Sequence, residues 1–129
     1  MDKTYNKART DKKTLVLLIH GINTLAWWQN KVASLIHDDT GSLIIPIKYG
    51  YFDLFQFWCP LGICRRGPIE RLRREISNAL RQHKGFRVII LAHSYGTYAV
   101  SKILLENPDI KIDGLILCGS IIPKEFPWE

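Results

Sequence analysis

Four short apolar segments, separated by stretches with helical spacing, constrain the fold of this chain more than any other feature. The segments are LVLLIH (residues 15–20), LIIPIK (43–48), RVIILA (87–92) and GLILC (114–118). Short apolar runs rich in β-branched residues, without polar alternation, are typical of strands buried on both faces of a parallel sheet. The sequence therefore predicts four buried strands.

Three amphipathic segments, residues 24–37, 68–84 and 95–106, lie between these strands. Their apolar positions recur at helical spacing, and Pro68 would stand near the first turn of its helix, where proline is well tolerated. The alternation predicts an α/β fold with three αβα layers: a mainly parallel sheet of about four strands with helices on both faces. Right-handed crossovers would then bring the carboxyl ends of all strands to one edge, where such sheets bind ligands.

The length of 129 residues and the 47% of hydrophobic residues fit a single domain. We predict a basic N-terminal tail over residues 1–13 and one domain over residues 14–129. No apolar stretch reaches the roughly 18 residues that a membrane-spanning helix needs, and the polar N-terminus is unlike a secretory signal. Three cysteines, an odd count, indicate a reducing compartment. We therefore expect a cytoplasmic protein with free thiols, no metal site and no cofactor.

The net charge of +6 is concentrated in residues 65–87, which hold eight basic and two acidic residues. Such a segment can attract phosphates or anionic lipid. No zinc-finger spacing or RNP-like run accompanies it, so we do not expect a nucleic-acid partner. Arg71, Arg74 and Arg81 fall opposite the apolar positions of the predicted helix, which favours a solvated helix face as the explanation of the charge.

One aromatic-rich loop, residues 49–67, interrupts the alternation. Residues 49–64 alone hold six of the 14 aromatic side chains, one acid and no base. Because the loop follows the carboxyl end of the second strand, it would overhang a ligand site. Three interpretations stay open: a lid or substrate-binding wall, packing on the sheet edge as core, or a weak membrane-surface or protein contact through residues 49–66.

The pentapeptide AHSYG, residues 92–96, stands directly between the third strand and a helix. A sharp strand-to-helix turn of this kind presents a serine Oγ at the carboxyl edge of the sheet, and small residues two before and two after it allow close packing. We therefore predict Ser94 as a catalytic nucleophile, at a helix N-terminus that favours an oxyanion. The alternative is an ordinary serine N-cap.

The peptide HGIN, residues 20–23, follows the first strand at the same edge. Acyl transfer needs two backbone N–H donors aimed at the developing oxyanion. We expect one from Tyr95, the residue after the nucleophile, and the other from Ile22, with Gly21 allowing the turn. The alternative is a tight strand-to-helix turn without a catalytic role.

These motifs resemble the α/β-hydrolase superfamily, and in particular its bacterial lipase-like and serine-esterase-like members. The resemblance rests on LVLLIHGIN, VIILAHSYG and GLILCGS and covers residues 14–122, with Ala92 in place of the usual first glycine of the elbow. It implies a partial α/β-hydrolase fold containing the third to sixth strands of an eight-stranded sheet. It also implies hydrolysis of a small-molecule or lipid ester, thioester or amide through an acyl-enzyme on Ser94.

A general base is missing from the expected place. In the resembled family the acid and then the histidine follow the serine, but no histidine follows Ser94 here. His20 is at the right edge, although it occupies the oxyanion-loop position, and we keep it as a weak candidate base. His37 and His83 end helices and are expected at the opposite edge, and the ring of His93 is expected to point away from the catalytic face.

No acid stands in the expected place either. Glu125, beyond the fourth strand, and Asp53, in the aromatic segment, are weak candidates, whereas Asp109 and Asp113 precede the last strand and belong to the opposite edge. We therefore expect the acid and the histidine beyond residue 129 or on another chain, so that the missing C-terminal half of the fold is a partner. The alternative function is a non-catalytic α/β-hydrolase-like domain that contacts a membrane surface or a protein.

Overall fold

A computed structural model describes residues 12–21, 27–48 and 63–127. Within them it contains four strands and three helices, in the predicted alternation. In chain order these are β1 (Thr14–Ile19), α1 (Trp27–Thr40), β2 (Leu43–Ile47), α2 (Ile63–Gln82), β3 (Arg87–His93), α3 (Tyr95–Glu106) and β4 (Gly114–Cys118). The predicted α/β fold is confirmed, and each strand begins and ends within one residue of its predicted bounds.

The four strands form one parallel sheet in the order β2-β1-β3-β4. The register pairs Leu17 of β1 with Ile45 on one side and with Ile90 on the other. Every strand therefore ends at the same edge, which we call the carboxyl edge, and begins at the opposite amino edge. Because β2 lies on one side of β1 and β3 on the other, right-handed crossovers put α1 on one face of the sheet and α2 and α3 on the other.

The main core lies between the sheet and the α2–α3 layer. Alternate β3 residues, Val88, Ile90 and Ala92, are buried on this face and stand beside β1 residues that are fully buried. The helices contribute apolar residues at helical spacing, namely Leu72, Ile76 and Ala79 from α2 and Ala99, Val100 and Ile103 from α3. Burial of this apolar surface holds α3, and the turn that precedes it, against the carboxyl ends of β1 and β3.

The helix bounds differ from the sequence prediction. The first helix continues to Thr40 rather than residue 37. The second helix begins at Ile63, so the prediction that Pro68 occupies the first turn is wrong: it is the sixth residue. A proline at this position lacks the backbone N–H that would donate to the carbonyl of Cys64, so one helical hydrogen bond is lost. The helix nevertheless continues to Gln82.

Several predictions concern residues outside the described part of the chain. These are most of the basic tail over 1–13, the aromatic segment over 49–62, and the start of the first helix at residue 24. In the described ranges, no helix combines the length and the apolar character needed to cross a membrane.

Candidate active site

The turn between β3 and α3 forces Ser94 into an unusual backbone conformation. Its φ is 53° and its ψ is −126°, and it is the one non-glycine residue with positive φ in the described ranges. Backbone of this kind costs a residue with a Cβ of the order of 1–3 kcal/mol and persists where the surroundings impose it. A glycine would adopt this backbone without steric cost.

Hydrogen bonds on both sides hold this conformation. The Ser94 N–H donates to the carbonyl of Cys118 at the end of β4, over 3.0 Å. The Ser94 carbonyl accepts from Thr97 twice, from its N–H at 2.9 Å and from its Oγ1 at 2.6 Å. The Oγ of Ser94 makes no capping bond to α3, so the alternative of an ordinary serine N-cap does not describe this turn. The hydroxyl is therefore not used in holding the helix.

Thr97 is a positioning residue that the sequence did not reveal. It is fully buried, and while its hydroxyl donates to Ser94 it also accepts from the N–H of Ile121, over 3.2 Å. The serine turn is thereby tied to the segment after β4. A threonine three residues after a serine at a strand-to-helix junction is the local signal, but the bond to Ile121 spans 24 positions and leaves no trace in the sequence.

Gly21 brings the loop after β1 against the serine. A Cβ added to this glycine would lie 2.8 Å from the Cβ of Ser94, 3.1 Å from its Oγ and 3.1 Å from the backbone nitrogen of Tyr95. Approach of this kind requires glycine, because a Cβ is essentially never found within 3.0 Å of a heavy atom outside its own residue and its two chain neighbours. The structure therefore brings together Gly21, Ser94 and Tyr95. Ile22, the other predicted donor, lies outside the described residues.

Gly96 allows an equally close approach on the other side of the turn. A Cβ here would lie 2.8 Å from the carbonyl oxygen of His20 and 3.1 Å from that of Ile19. The first turn of α3 thus packs directly on the end of β1. Because these neighbours are backbone atoms, a side chain could be accommodated only by moving the strand or the helix away from the other.

His20 and His93 are the histidines near this edge. The Nδ1 of His20 donates to the carbonyl of its neighbour Gly21, over 2.6 Å. The ring of His93 lies edge-on to Trp28 of α1, with 5.5 Å between centroids, and its Nδ1 is buried with no hydrogen-bond partner in the described ranges. His93 therefore faces the α1 side of the sheet, away from the α3 side.

The remaining histidines stabilise ordinary backbone. His37, in the last turn of α1, has its Nδ1 2.8 Å from the carbonyl oxygen of Ser42, and His83, just after α2, has its Nδ1 2.9 Å from that of Ala79. Both helices end at the amino edge, so both rings lie far from Ser94. No histidine of the described ranges has a recorded hydrogen bond to Ser94.

The candidate acids are also dispersed. Glu125 is exposed in a turn after β4 and has no ion pair with any residue of the described part. Asp113 accepts the N–H of Val88 through its Oδ2 at 2.8 Å, which makes it a backbone cap at the amino edge, and Asp109 lies near it in sequence. Asp53 falls outside the described residues.

No metal centre competes with this arrangement in the described ranges. They contain no group of three or more His, Cys, Asp or Glu side chains placed to hold an ion. Cys118 is a half-buried free thiol at the end of β4. The chemistry available at the carboxyl edge is therefore a serine hydroxyl on a strained turn, beside a helix N-terminus and a glycine loop.

Comparison with solved structures relates the fold to a longer protein. The crystal structure of an uncharacterized protein from Bacillus cereus ATCC 10987, at 2.75 Å resolution, superposes with a TM-score of 0.62 and 19% sequence identity. The match covers 91% of this chain and 36% of that one, so this chain spans little more than a third of its neighbour's length. At this identity the likeness shows the fold alone. No family model and no curated protein matches the sequence.

Proposed function

We propose that this chain carries the nucleophile and the oxyanion hole of a serine hydrolase of the esterase, lipase or thioesterase type. The observation that most supports this is the positive φ of Ser94, a strained turn occupied by a residue whose hydroxyl caps nothing. Backbone strain held at a polar residue is common at catalytic sites. The contact of Gly21 with both Ser94 and the Tyr95 nitrogen adds a second, independent argument.

In the proposed reaction the Oγ of Ser94 attacks the carbonyl carbon of an ester, and its proton passes to a general base. The N–H groups of Tyr95 and Ile22 stabilise the tetrahedral oxyanion, which is the largest single contribution that such a site makes. Collapse of this intermediate releases the alcohol, which takes the proton from the base, and leaves an acyl group on Ser94. Water, activated by the same base, then hydrolyses the acyl-enzyme.

We further propose that the histidine base and its acid come from polypeptide outside these 129 residues, either a continuation of the chain or another chain. The dispersal of the described histidines and acids supports this. So does the length of the structural neighbour, which contains the same fold within a chain more than twice as long. The free thiol of Cys118 is consistent with the proposed cytoplasmic location.

Fluorophosphonate labelling tests the nucleophile directly. The full-length protein, in which the proposed base is present, should form a covalent adduct at Ser94, detected by intact mass and peptide mapping, and Ser94→Ala should abolish it. The matched control is Ser120→Ala, which removes an exposed serine after β4, near the same edge, and should label like the wild type.

Equal labelling of wild type and Ser94→Ala would remove Ser94 from the mechanism. Hydrolysis of an activated ester by the 129-residue chain should be weak, because removal of a triad member costs several orders of magnitude, of the order of 10⁴ or more in rate. Robust turnover that His20→Ala abolished would instead identify His20 as the base and overturn the proposal that the base lies elsewhere.

The second candidate function is a non-catalytic domain of the same fold that contacts a membrane surface or a protein. Exposed apolar side chains favour it: Ile116 and Ile121 are each 48% exposed and Leu105 is 47% exposed, around β4. Of residues 49–66, the side chain of Arg66 is described, and it is exposed. Co-sedimentation with anionic vesicles at low salt, by a protein that fluorophosphonate does not label, would support this alternative.

A further inference from the structure

A cavity of about 570 Å³ opens at the end of the molecule opposite to Ser94. It lies between the second half of α2 and the segment that joins α3 to β4, toward the amino edge. Its polar lining consists of Arg73, Arg74, Ser77, Asn78 and Arg81 from α2 and Asp109 from the joining segment. The seven residues of β3 separate the two edges of the sheet by roughly 20 Å, so this cavity is not part of the serine site.

The three guanidinium groups around this cavity are not equally engaged. Arg73 forms a two-pronged ion pair with Glu70, with N–O distances of 2.8 and 2.5 Å. Arg81 donates to the side-chain oxygen of Asn78. Arg74 has neither a hydrogen bond nor an ion pair with any residue of the described ranges, so its donors are available to a ligand.

The negative charge of the cavity lies toward Arg73. The hydrogen bonds that Arg73 donates to Glu70 raise the pKa of Arg73 most, and Asp109 adds a smaller contribution in the same direction. Glu70 also attracts Arg74 electrostatically, but it forms its hydrogen bonds with Arg73. Neither Arg74 nor Arg81 forms an ion pair with a residue of the described part. These residues are seven positions apart, which places them on one helix face about 10 Å apart along the axis.

We propose that this cavity, the arginine cavity, binds the phosphomonoester group of a small polar molecule. Arg74 and Arg81 hold the phosphoryl oxygens, because the planar guanidinium fork matches phosphate geometry. The hydroxyl of Ser77 supplies a further donor, and the carboxylate of Asp109 accepts from a hydroxyl or amine on the remainder of the ligand. The volume falls within the range of small-molecule sites, about 300–1,000 Å³.

The sequence favours a solvated helix face as the explanation of the basic charge. On such a face the arginines need not surround a cavity. Arg66 and Arg74 differ in this respect, although both are exposed arginines of α2: Arg74 lines the cavity and Arg66 does not. If the cavity is the binding site, the affinity depends on the arginines that line it. General charge attraction would instead depend on net charge alone. Arg66 is for that reason the matched control.

Calorimetric titration with ribose 5-phosphate, and with ribose as the unphosphorylated control, tests the proposal. The wild-type protein should bind the phosphate ester with millimolar or tighter affinity and should not bind ribose. Arg74→Gln and Arg81→Gln should each weaken binding about tenfold or more, since hydrogen bonds to charged groups are among the stronger ones. Arg66→Gln, with the same loss of charge on the same helix, should leave the affinity unchanged.

A parallel arm distinguishes a lipid headgroup from a free metabolite. Phosphatidic-acid vesicles present the same phosphomonoester, and competition by ribose 5-phosphate would show that both occupy the arginine cavity. Equal weakening by Arg66→Gln and Arg74→Gln would overturn the proposal, as would absence of binding both to ribose 5-phosphate at about 10 mM and to phosphatidic-acid vesicles. Fluorophosphonate labelling of Ser94 should be unchanged in all three variants, so this test is independent of the proposed hydrolase function.

Discussion

Replacing Ser94 by glycine should make the protein more stable than replacing it by alanine. Both substitutions remove the hydroxyl, so they differ in the Cβ alone. At φ 53° and ψ −126° that Cβ is strained, whereas glycine adopts such backbone without steric cost. The order is the reverse of that at ordinary helical positions, where alanine is the more stabilising residue.

The magnitude follows from two opposing contributions. Relief of the strained backbone stabilises the glycine variant by about 1–3 kcal/mol. The greater conformational entropy that glycine loses on folding costs about 0.5–1 kcal/mol relative to alanine. The net expectation is a glycine variant that is more stable than the alanine variant by about 1 kcal/mol, and by at most about 2.5 kcal/mol. For a chain of this length, that corresponds to a rise of about 3–5 °C in Tm per kcal/mol.

Urea unfolding followed by circular dichroism measures this difference, with comparison of the midpoints at a common m-value. Ser34 provides the matched pair, because it lies exposed within α1 and its hydroxyl contacts Asp38, a contact that both substitutions also remove. There glycine should be less stable than alanine by about 1 kcal/mol. If glycine were equally unfavourable at positions 94 and 34, Ser94 would not occupy the strained conformation and the strongest support for the proposed function would be lost.

Three further substitutions test the surroundings of the serine turn and of the arginine cavity. Gly96→Ala should lower the free energy of unfolding by about 1–3 kcal/mol in urea, because the new methyl group meets the carbonyl oxygen of His20 at 2.8 Å. Thr97→Val should cost about 1–3 kcal/mol by the same measurement and slow fluorophosphonate labelling, since it removes the hydroxyl that donates to the carbonyl of Ser94. Arg73→Gln should raise the pKa of Glu70, which the hydrogen bond from Arg73 holds below its ordinary value, in a carboxyl NMR titration. Because that pKa is depressed in the folded protein, any stability from the pair is present at neutral pH and is lost as the pH falls through it.

The strands were predictable from the sequence because each one is a short, continuous apolar run, which is typical of a parallel sheet covered by helices. Burial itself differs among them: β1 is buried along nearly its whole length, whereas β2 and β4, at the two ends of the described strand order, are only partly buried. The sequence also indicated close packing at Gly21 and Gly96, because a small residue at a fixed distance from a sharp turn allows neighbouring backbone to approach. Pro68 misled the prediction of a helix start: its preference for the first turn is a statistical tendency that the packing of the flanking residues overrides. The spacing of Thr97 from Ser94 is a local signal, but its bond to Ile121 depends on a partner distant in sequence, which no local pattern indicates.

The order of the strands has a consequence for how the serine site forms during synthesis. The central strand β1 pairs with β3, so that Leu15 stands beside Val88, and the residues between them must be made before this pairing can begin. Pairing of residues so distant along the chain is slow, because closing the intervening loop costs entropy before any contact repays it. Gly21 and Ser94 follow the two strands and therefore meet only when this slow step is complete. Reactivity at Ser94 should consequently appear late in refolding, after the helices have formed, and would serve as a kinetic probe of that step.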